Sequence, residues 1–218
     1  VELATNEPIR HSNTFFFDKC LGWKGICVEP NPAYHSGIFL TRRCSLEPYC
    51  VSNKEGTILF THREGASRIA TTHSEERARA HRGTTREQHF YANCTSLESI
   101  LERNRFDHVN YLSLDVEGHE LEALKSIDWS KRTFDILTVE NPSKAIVEFL
   151  KERNIHRVFC AGPDGFFVHI RFFGKVRDWY IRTGQNSLHG CIFDTLGCTL
   201  QPTCDSFVGK MKLSRGGK

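Results

Sequence analysis

Three short apolar runs, each ending on an acid, constrain this chain more than any other feature. They are Gly25-Ile26-Cys27-Val28 closed by Glu29, Val109–Asp115 (VNYLSLD) closed by Asp115, and Phe134–Glu140 (FDILTVE) closed by Glu140 and followed by Asn141. Continuous rather than alternating apolar character marks strands buried on both faces, which is the condition of a parallel sheet. Helical patterns lie between them, as crossover connections require. Ser12–Leu21 reads as a helix with Ser12 or Asn13 as its cap. Pro32–Leu40 is a short helix with Asn31 as cap and Pro32 at the first helical position. Glu120–Ile127 follows Asp115, and Ser143 caps a helix that runs to about Arg153. The expected fold is α/β: a doubly wound, mostly parallel sheet.

The rest of the chain fills in around that frame. Val1–Ala4 reads as the end of a buried first strand. No initiating Met and no signal-peptide pattern precede it, so the chain is expected to be clipped at its N-terminus. Tyr49–Val51 reads as a third strand and Gly56–Phe60 as an added extended piece. Thr95 and Glu98 form a capping box opening a helix to about Arg103. Arg157–Cys160 and Phe166–Arg171 flank the turn Gly162-Pro163-Asp164-Gly165, a C-terminal antiparallel hairpin. Residues 61–90 hold six arginines and four histidines with few large apolar side chains, so they are expected to be a basic insertion or lid. The main domain is expected over residues 1–173, with 174–218 as a C-terminal extension.

Composition narrows the class. Hydrophobic residues make up 39% of the 218 and charged residues 25%, values typical of a globular protein, and no apolar run reaches the length of a membrane span. A net charge of +3 does not by itself imply nucleic acid, and the arginines of 61–90 lack the aromatic interleaving that base stacking needs, so no nucleic-acid partner is expected. Of the nine cysteines, Cys20, Cys27, Cys44, Cys50, Cys94 and Cys160 sit in or beside apolar stretches and are expected to be buried free thiols. Cys191, Cys198 and Cys204 lack the paired spacing of a zinc site. The cytoplasm is the default localisation, without a feature that assigns it.

In an open parallel sheet, ligands bind beyond the carboxyl ends of the strands. Glu29, at the end of the second strand, is placed to accept both ribose hydroxyls of a nucleoside cofactor. The first turn, Ala4-Thr5-Asn6-Glu7-Pro8, lacks the glycine fingerprint of dinucleotide enzymes. His119 stands at a helix start four residues beyond Asp115. Histidine changes charge nearest neutral pH of all side chains, which suits a general base; capping or packing the helix start is the alternative. Asp115 with Glu140 and Asn141 offers hard oxygen ligands that would suit Mg²⁺. Any single acid at a strand end is also explained as a cap or turn former.

Several strings together resemble one family. Ser12-Asn13-Thr14-Phe15-Phe16-Phe17, Leu21-Gly22-Trp23-Lys24-Gly25 and Val28-Glu29-Pro30-Asn31-Pro32 are similar to the opening of FkbM-type methyltransferases. Val51-Ser52 with Glu55-Gly56, Tyr111 through Glu122 (YLSLDVEGHELE) and Thr138-Val139-Glu140-Asn141 resemble that family's later motifs, in order, over about residues 1–171. The resemblance implies a Rossmann-like class I methyltransferase fold, S-adenosylmethionine as cofactor, and oxygen methylation of a sugar or natural-product-like hydroxyl acceptor. It implies a cofactor held near Glu2, Ala4, Asn6, Ser12 and Asn13 on the first strand and loop. Glu29, Pro30, Ser52, Asp115 and Glu117 would complete that site, with His119 and Asp115 as the catalytic pair. The competing reading is a non-catalytic module of the same fold that has lost cofactor binding, motivated by the missing glycines and the clipped first strand.

Overall fold

The computed structural model describes residues 1–63, 66–69 and 88–175, and these fall into two compact units. The first comprises Val1–Val109 and Ser113–Arg132; the second takes Asn110–Leu112 and the chain from Thr133. No helix among the described residues is long and apolar enough to cross a membrane.

The first unit is built on a parallel sheet. Strands β1 (Glu2–Leu3), β2 (Ile26–Val28) and β3 (Ser45–Glu47) join the end of β8 (His108–Leu114) in the order β8-β1-β2-β3. Leu3 registers with Val28 on one side and Leu114 on the other, and Val28 with Glu47. Leu3, Ile26, Val28 and Leu114 are all buried, as expected of strands covered on both faces. The crossovers are α1 (Phe15–Lys19) and α2 (Pro32–Thr41). Asn31 caps α2 by accepting the Ala33 N–H, with Pro32 at the first position.

Three boundaries differ from the sequence expectation. Helix α1 begins at Phe15, and its N-cap, Thr14, makes no side-chain capping bond, because the Thr14 hydroxyl donates to Glu2 instead. The strand beside β2 is Ser45–Glu47, too short and polar to show a pattern; Cys50–Val51 (β4) belongs to another sheet. The helix Leu97–Arg103 (α3) is capped by Ser96, whose Oγ accepts the Ser99 N–H. Thr95 is still in a strand, and Glu98 accepts from Arg132 and the Asp128 N–H rather than closing a capping box.

A second sheet in the same unit replaces part of the expected insertion. Its order is β4-β7-β5-β6, with β5 at Gly56–Arg63, β6 at Ala66–Ile69 and β7 at Gln88–Thr95. β5 pairs antiparallel with both β6 and β7. Ile58 and Phe60 on β5 and Phe90, Ala92 and Cys94 on β7 alternate inward around a small core, where the Phe60 and Phe90 rings stack at 5.4 Å. So 61–63, 66–69 and 88–90 are strand rather than insertion; 64–65 and 70–87 lie outside the described residues.

The cysteine expectation is overturned. Cys27 bonds to Cys44, Cys50 to Cys94, and Cys160 is also disulfide-bonded; Cys20 is free but exposed. A half-cystine and a buried thiol sit in the same apolar contexts, and only tertiary pairing separates them. Cys191, Cys198 and Cys204, like the rest of 176–218, lie outside the described residues.

In the second unit, β9 (Thr133–Glu140), β10 (Ile155–Ala161) and β11 (Asp164–His169) form the order β10-β11-β9, antiparallel at both junctions. Ser143 caps α5 (Lys144–Lys151) by accepting the Ile146 N–H; α4 is Glu120–Lys125 in the first unit. Gly165 meets Pro142 so closely that a Cβ there would lie 2.7 Å from Pro142 Cγ. Gly165→Ala should therefore cost about 1–3 kcal/mol through overpacking. Thermal unfolding followed by circular dichroism checks it; an unchanged midpoint would show that Pro142 yields freely.

Candidate functional site

The β1–α1 loop turns twice through left-handed backbone. Ala4 has φ 55° and Asn6 φ 54°, conformations that glycine adopts without strain and other residues at a cost of about 1–2 kcal/mol. The loop is held there. Thr5 is fully buried, its N–H donates to Val28 O at 3.2 Å, and its hydroxyl to Glu2 O at 3.4 Å. The Asn6 N–H donates to Glu29 Oε2 at 2.7 Å, while the Asn31 N–H donates to Glu29 Oε1 at 2.7 Å. Each carboxylate oxygen of Glu29 thus carries one amide and keeps a lone pair. Burial pushes the Glu29 carboxyl up to about 7, against the two amides that favour its charge.

A cleft opens over this loop, with about 670 Å³ of space that includes its solvent-open mouth. Ala4, Asn6, Glu29 and Pro30 line it from β1 and β2; Asp115, Val116, Glu117 and His119 line it from the β8–α4 loop. That second loop is shaped by Glu120. Its Oε1 accepts the N–H groups of Val116 (3.3 Å) and Gly118 (2.9 Å), with Glu117 at φ 55° and Gly118 at φ 96°. His119 is the N-cap residue of α4, and its Nε2 stands 3.5 Å from Ser52 Oγ. The remaining wall is apolar: Leu3, Val28, Cys50, Val51, Phe60 and Ile69, with Tyr49 and Ser67.

Of the residues anticipated from sequence, Ala4, Asn6, Glu29, Pro30, Asp115, Glu117 and His119 come together on this cleft. Ser52 is buried behind it, against His119. Glu2, Ser12 and Asn13 do not line it. They join a network around the buried Glu2 and Arg42: Glu2 accepts from Ser12 Oγ, the Asn13 N–H (2.6 Å), Thr14 Oγ1 (2.9 Å) and Arg42 Nη1 (3.3 Å). Arg42 Nε in turn donates to Asp18 Oδ2 at 2.8 Å. Asn13 Nδ2 reaches Ser113 Oγ at 3.0 Å, tying the network to β8. Sequence reasoning missed Glu120, Phe60, Ser67 and Ile69; the alternation of Ile58 and Phe60, and of Phe90, Ala92 and Cys94, was the signal for the sheet that carries the last three.

Among the described residues no three His, Cys, Asp or Glu side chains gather to hold a metal. Asp115 belongs to the first unit, whereas Glu140 pairs with Asp164 and the Asn141 N–H donates to Pro163 O in the second.

These features define an α/β protein with a mostly parallel central sheet and a cleft at the carboxyl ends of its parallel strands, the place where such folds bind ligands. Residues 3–179 match the model of the methyltransferase FkbM domain. The chain belongs to that family of methyltransferases. Comparison with curated proteins and with solved structures gave no match.

Glu29 also sets a pH dependence. Its folded-state pKa, about 7, lies above the ordinary value of 4.5, so folding favours the protonated form. The stability this contributes is full below about pH 4.5 and is lost as pH rises from there through 7, an effect on the order of 3 kcal/mol. Glu29→Gln should flatten that part of the stability–pH curve between pH 5 and 8. Denaturant melts of both proteins across the range check it; parallel curves would mean the carboxyl is already ionised at acid pH.

Proposed function

We propose that the cleft binds S-adenosylmethionine and that the chain transfers its methyl group to a hydroxyl oxygen of a sugar or natural-product-like acceptor. The observation that carries this reading is Glu29. A buried carboxylate whose two oxygens are each fixed by one backbone amide, at the end of β2, is preorganised to accept two adjacent ribose hydroxyls. The apolar side chains of Leu3, Val28 and Val51 suit a flat heterocycle, and the left-handed Ala4 and Asn6 give the loop the path that glycines would otherwise supply. That answers the missing glycines as a reason to read the chain as a module that has lost its cofactor.

The donor, when bound, supplies a sulfonium methyl that is already electrophilic. The protein's tasks are then to align the acceptor oxygen and to remove its proton. His119 fits the second: it lines the cleft, and the Ser52 hydroxyl beside Nε2 orients the ring. Asp115, on the same loop, fits a hydrogen bond to the acceptor hydroxyl or to the donor's charged end. Among the described residues no cluster of His, Cys, Asp or Glu supports the Mg²⁺ expected from Asp115, Glu140 and Asn141.

Calorimetric titration with S-adenosylhomocysteine tests the donor site. Binding is expected, and Glu29→Ala should weaken it by about 1–3 kcal/mol, since two hydroxyls lose a charged acceptor. Because those hydroxyls donate to the ionised carboxylate, affinity should rise as pH passes through 7, and Glu29→Gln should remove that rise. No binding by the unaltered protein would defeat the reading. Labelled methyl transfer to a hydroxylated metabolite extract identifies the acceptor. With that acceptor, His119→Ala should lower kcat by roughly 10²–10⁴-fold while leaving S-adenosylhomocysteine affinity in place; an unimpaired kcat would remove His119 from the chemistry.

A further inference from the structure

Cys50 belongs both to the wall of the cleft and to a disulfide. Its strand, β4, is two residues long and lies at the edge of the four-stranded sheet, where β7 is its neighbour. The pairing consists of Cys50 with Cys94 and Val51 with Thr95, extended by the Ser52 N–H on Thr95 O at 3.0 Å. A parallel ladder this short has little cohesion of its own. Yet three consecutive residues depend on it. Cys50 and Val51 line the cleft, and Ser52 stands beside His119. The disulfide supplies the missing tie, joining residues 44 apart in sequence at a Cα separation of 4.4 Å. Cys27–Cys44, which ties β2 to the residue before β3, does not line the cleft and serves as an internal comparison.

We propose that the Cys50–Cys94 disulfide is a positioning element of the methyl-donor cleft, and that the oxidised protein is the form competent to bind. The proposal rests on the donor reading given above. Opening the bond takes two electrons and two protons from a dithiol; the S–S bond breaks to two thiols and the dithiol closes to its own disulfide. The backbone of Val51 and Ser52 is then tied to β7 by the short ladder alone. Linkage makes the effect reciprocal: if opening weakens the donor complex by some factor, bound donor disfavours opening by the same factor. The inside of the cleft also borders Cys50, so an occupant covers that approach to its sulfur. The consequence is compartmental. The cleft is firm where disulfides persist and slack where glutathione and thioredoxin keep thiols reduced.

The test uses the unaltered chain with S-adenosylhomocysteine as ligand and dithiothreitol as reductant, trapping thiols by alkylation and assigning them by peptide mass spectrometry. Ligand should slow alkylation of Cys50 and Cys94 by at least about 5-fold and leave the rate at Cys27 and Cys44 unchanged. Protein opened at Cys50–Cys94 should bind the ligand at least about 10-fold more weakly, and reoxidation should restore affinity. Amide exchange should accelerate at Ser52, whose N–H donates to Thr95 O, while Val28 and Leu97 stay protected, a local change that general destabilisation would not give. A Cys50→Ser, Cys94→Ser double variant that folds by circular dichroism should reproduce the weak binding; if it does not fold, the reduction and reoxidation cycle decides. Equal affinity of the oxidised and opened forms would overturn this proposal alone. No binding by the oxidised form would overturn the donor reading and this proposal with it.

Discussion

Arg42 is the one cation inside a pocket of oxygen, and the site's geometry descends from it. Two buried carboxylates, Glu2 and Asp18, the hydroxyls of Ser12 and Thr14 and the carbonyl of Pro8 converge on its guanidinium. Removing one partner from such a set leaves an uncompensated buried charge, typically a loss of about 3–5 kcal/mol. The fork of Arg42 is well matched to the task, because it satisfies several acceptors in fixed directions while carrying a charge that cannot be lost. The network joins β1, the loop that follows it, α1 and the residue after α2. The loop carrying Ala4 and Asn6 is thus pinned at both ends, by β1 on one side and by Ser12 through Thr14 on the other. That pinning is what sustains two left-handed non-glycine residues at the edge of the cleft, and it delivers the Asn6 amide to Glu29.

Much of this frame was legible in the amino-acid sequence, because it follows from burial on two faces. The apolar runs ending at Glu29, Asp115 and Glu140 are strands in the expected places, and Asn31 and Ser143 cap the helices their spacing announced. The resemblance to FkbM methyltransferases holds over residues 3–179. What failed to show did so for local physical reasons. Ser45–Glu47 is three residues long, below any periodic signal. Residues 61–63, 66–69 and 88–90 are rich in arginine, histidine and other polar residues, which masked the short apolar alternation of Ile58 and Phe60 and of Phe90, Ala92 and Cys94. The disulfides of Cys27, Cys44, Cys50 and Cys94 depend on which strands lie side by side, which spacing does not encode.

The glycine-poor first turn shows why residue identity is an imperfect proxy for backbone shape. A turn without glycine argued against a cofactor site, yet Ala4 and Asn6 occupy the conformations that glycine would have taken. The same holds at the β8–α4 loop, where Glu117 is left-handed beside Gly118 and Glu120 reaches back to two amides. Glu2, Ser12 and Asn13 teach the converse. Their place in a family-like string suggested contact with a ligand, but their hydrogen bonds face Arg42 and the interior. A polar string beside a binding loop serves the loop as readily as the ligand.

Strand β1 lies between β2 and β8, so the centre of the sheet is closed by residues about a hundred positions apart: Glu2 registers with Ser113 and Leu3 with Leu114. Such a pairing is slow to form, because the chain between must be gathered before the contact is made. During synthesis, which proceeds at about 5–20 residues per second, β1 and β2 emerge early and wait for β8. Through that interval Leu3 lacks one neighbour, and the Asn13 side chain lacks the Ser113 hydroxyl that anchors it. The second sheet has no such delay, since all four of its strands precede Leu97. The β-rich side of the cleft therefore closes through shorter loops than its base, with Cys50 and Cys94 only 44 residues apart in sequence.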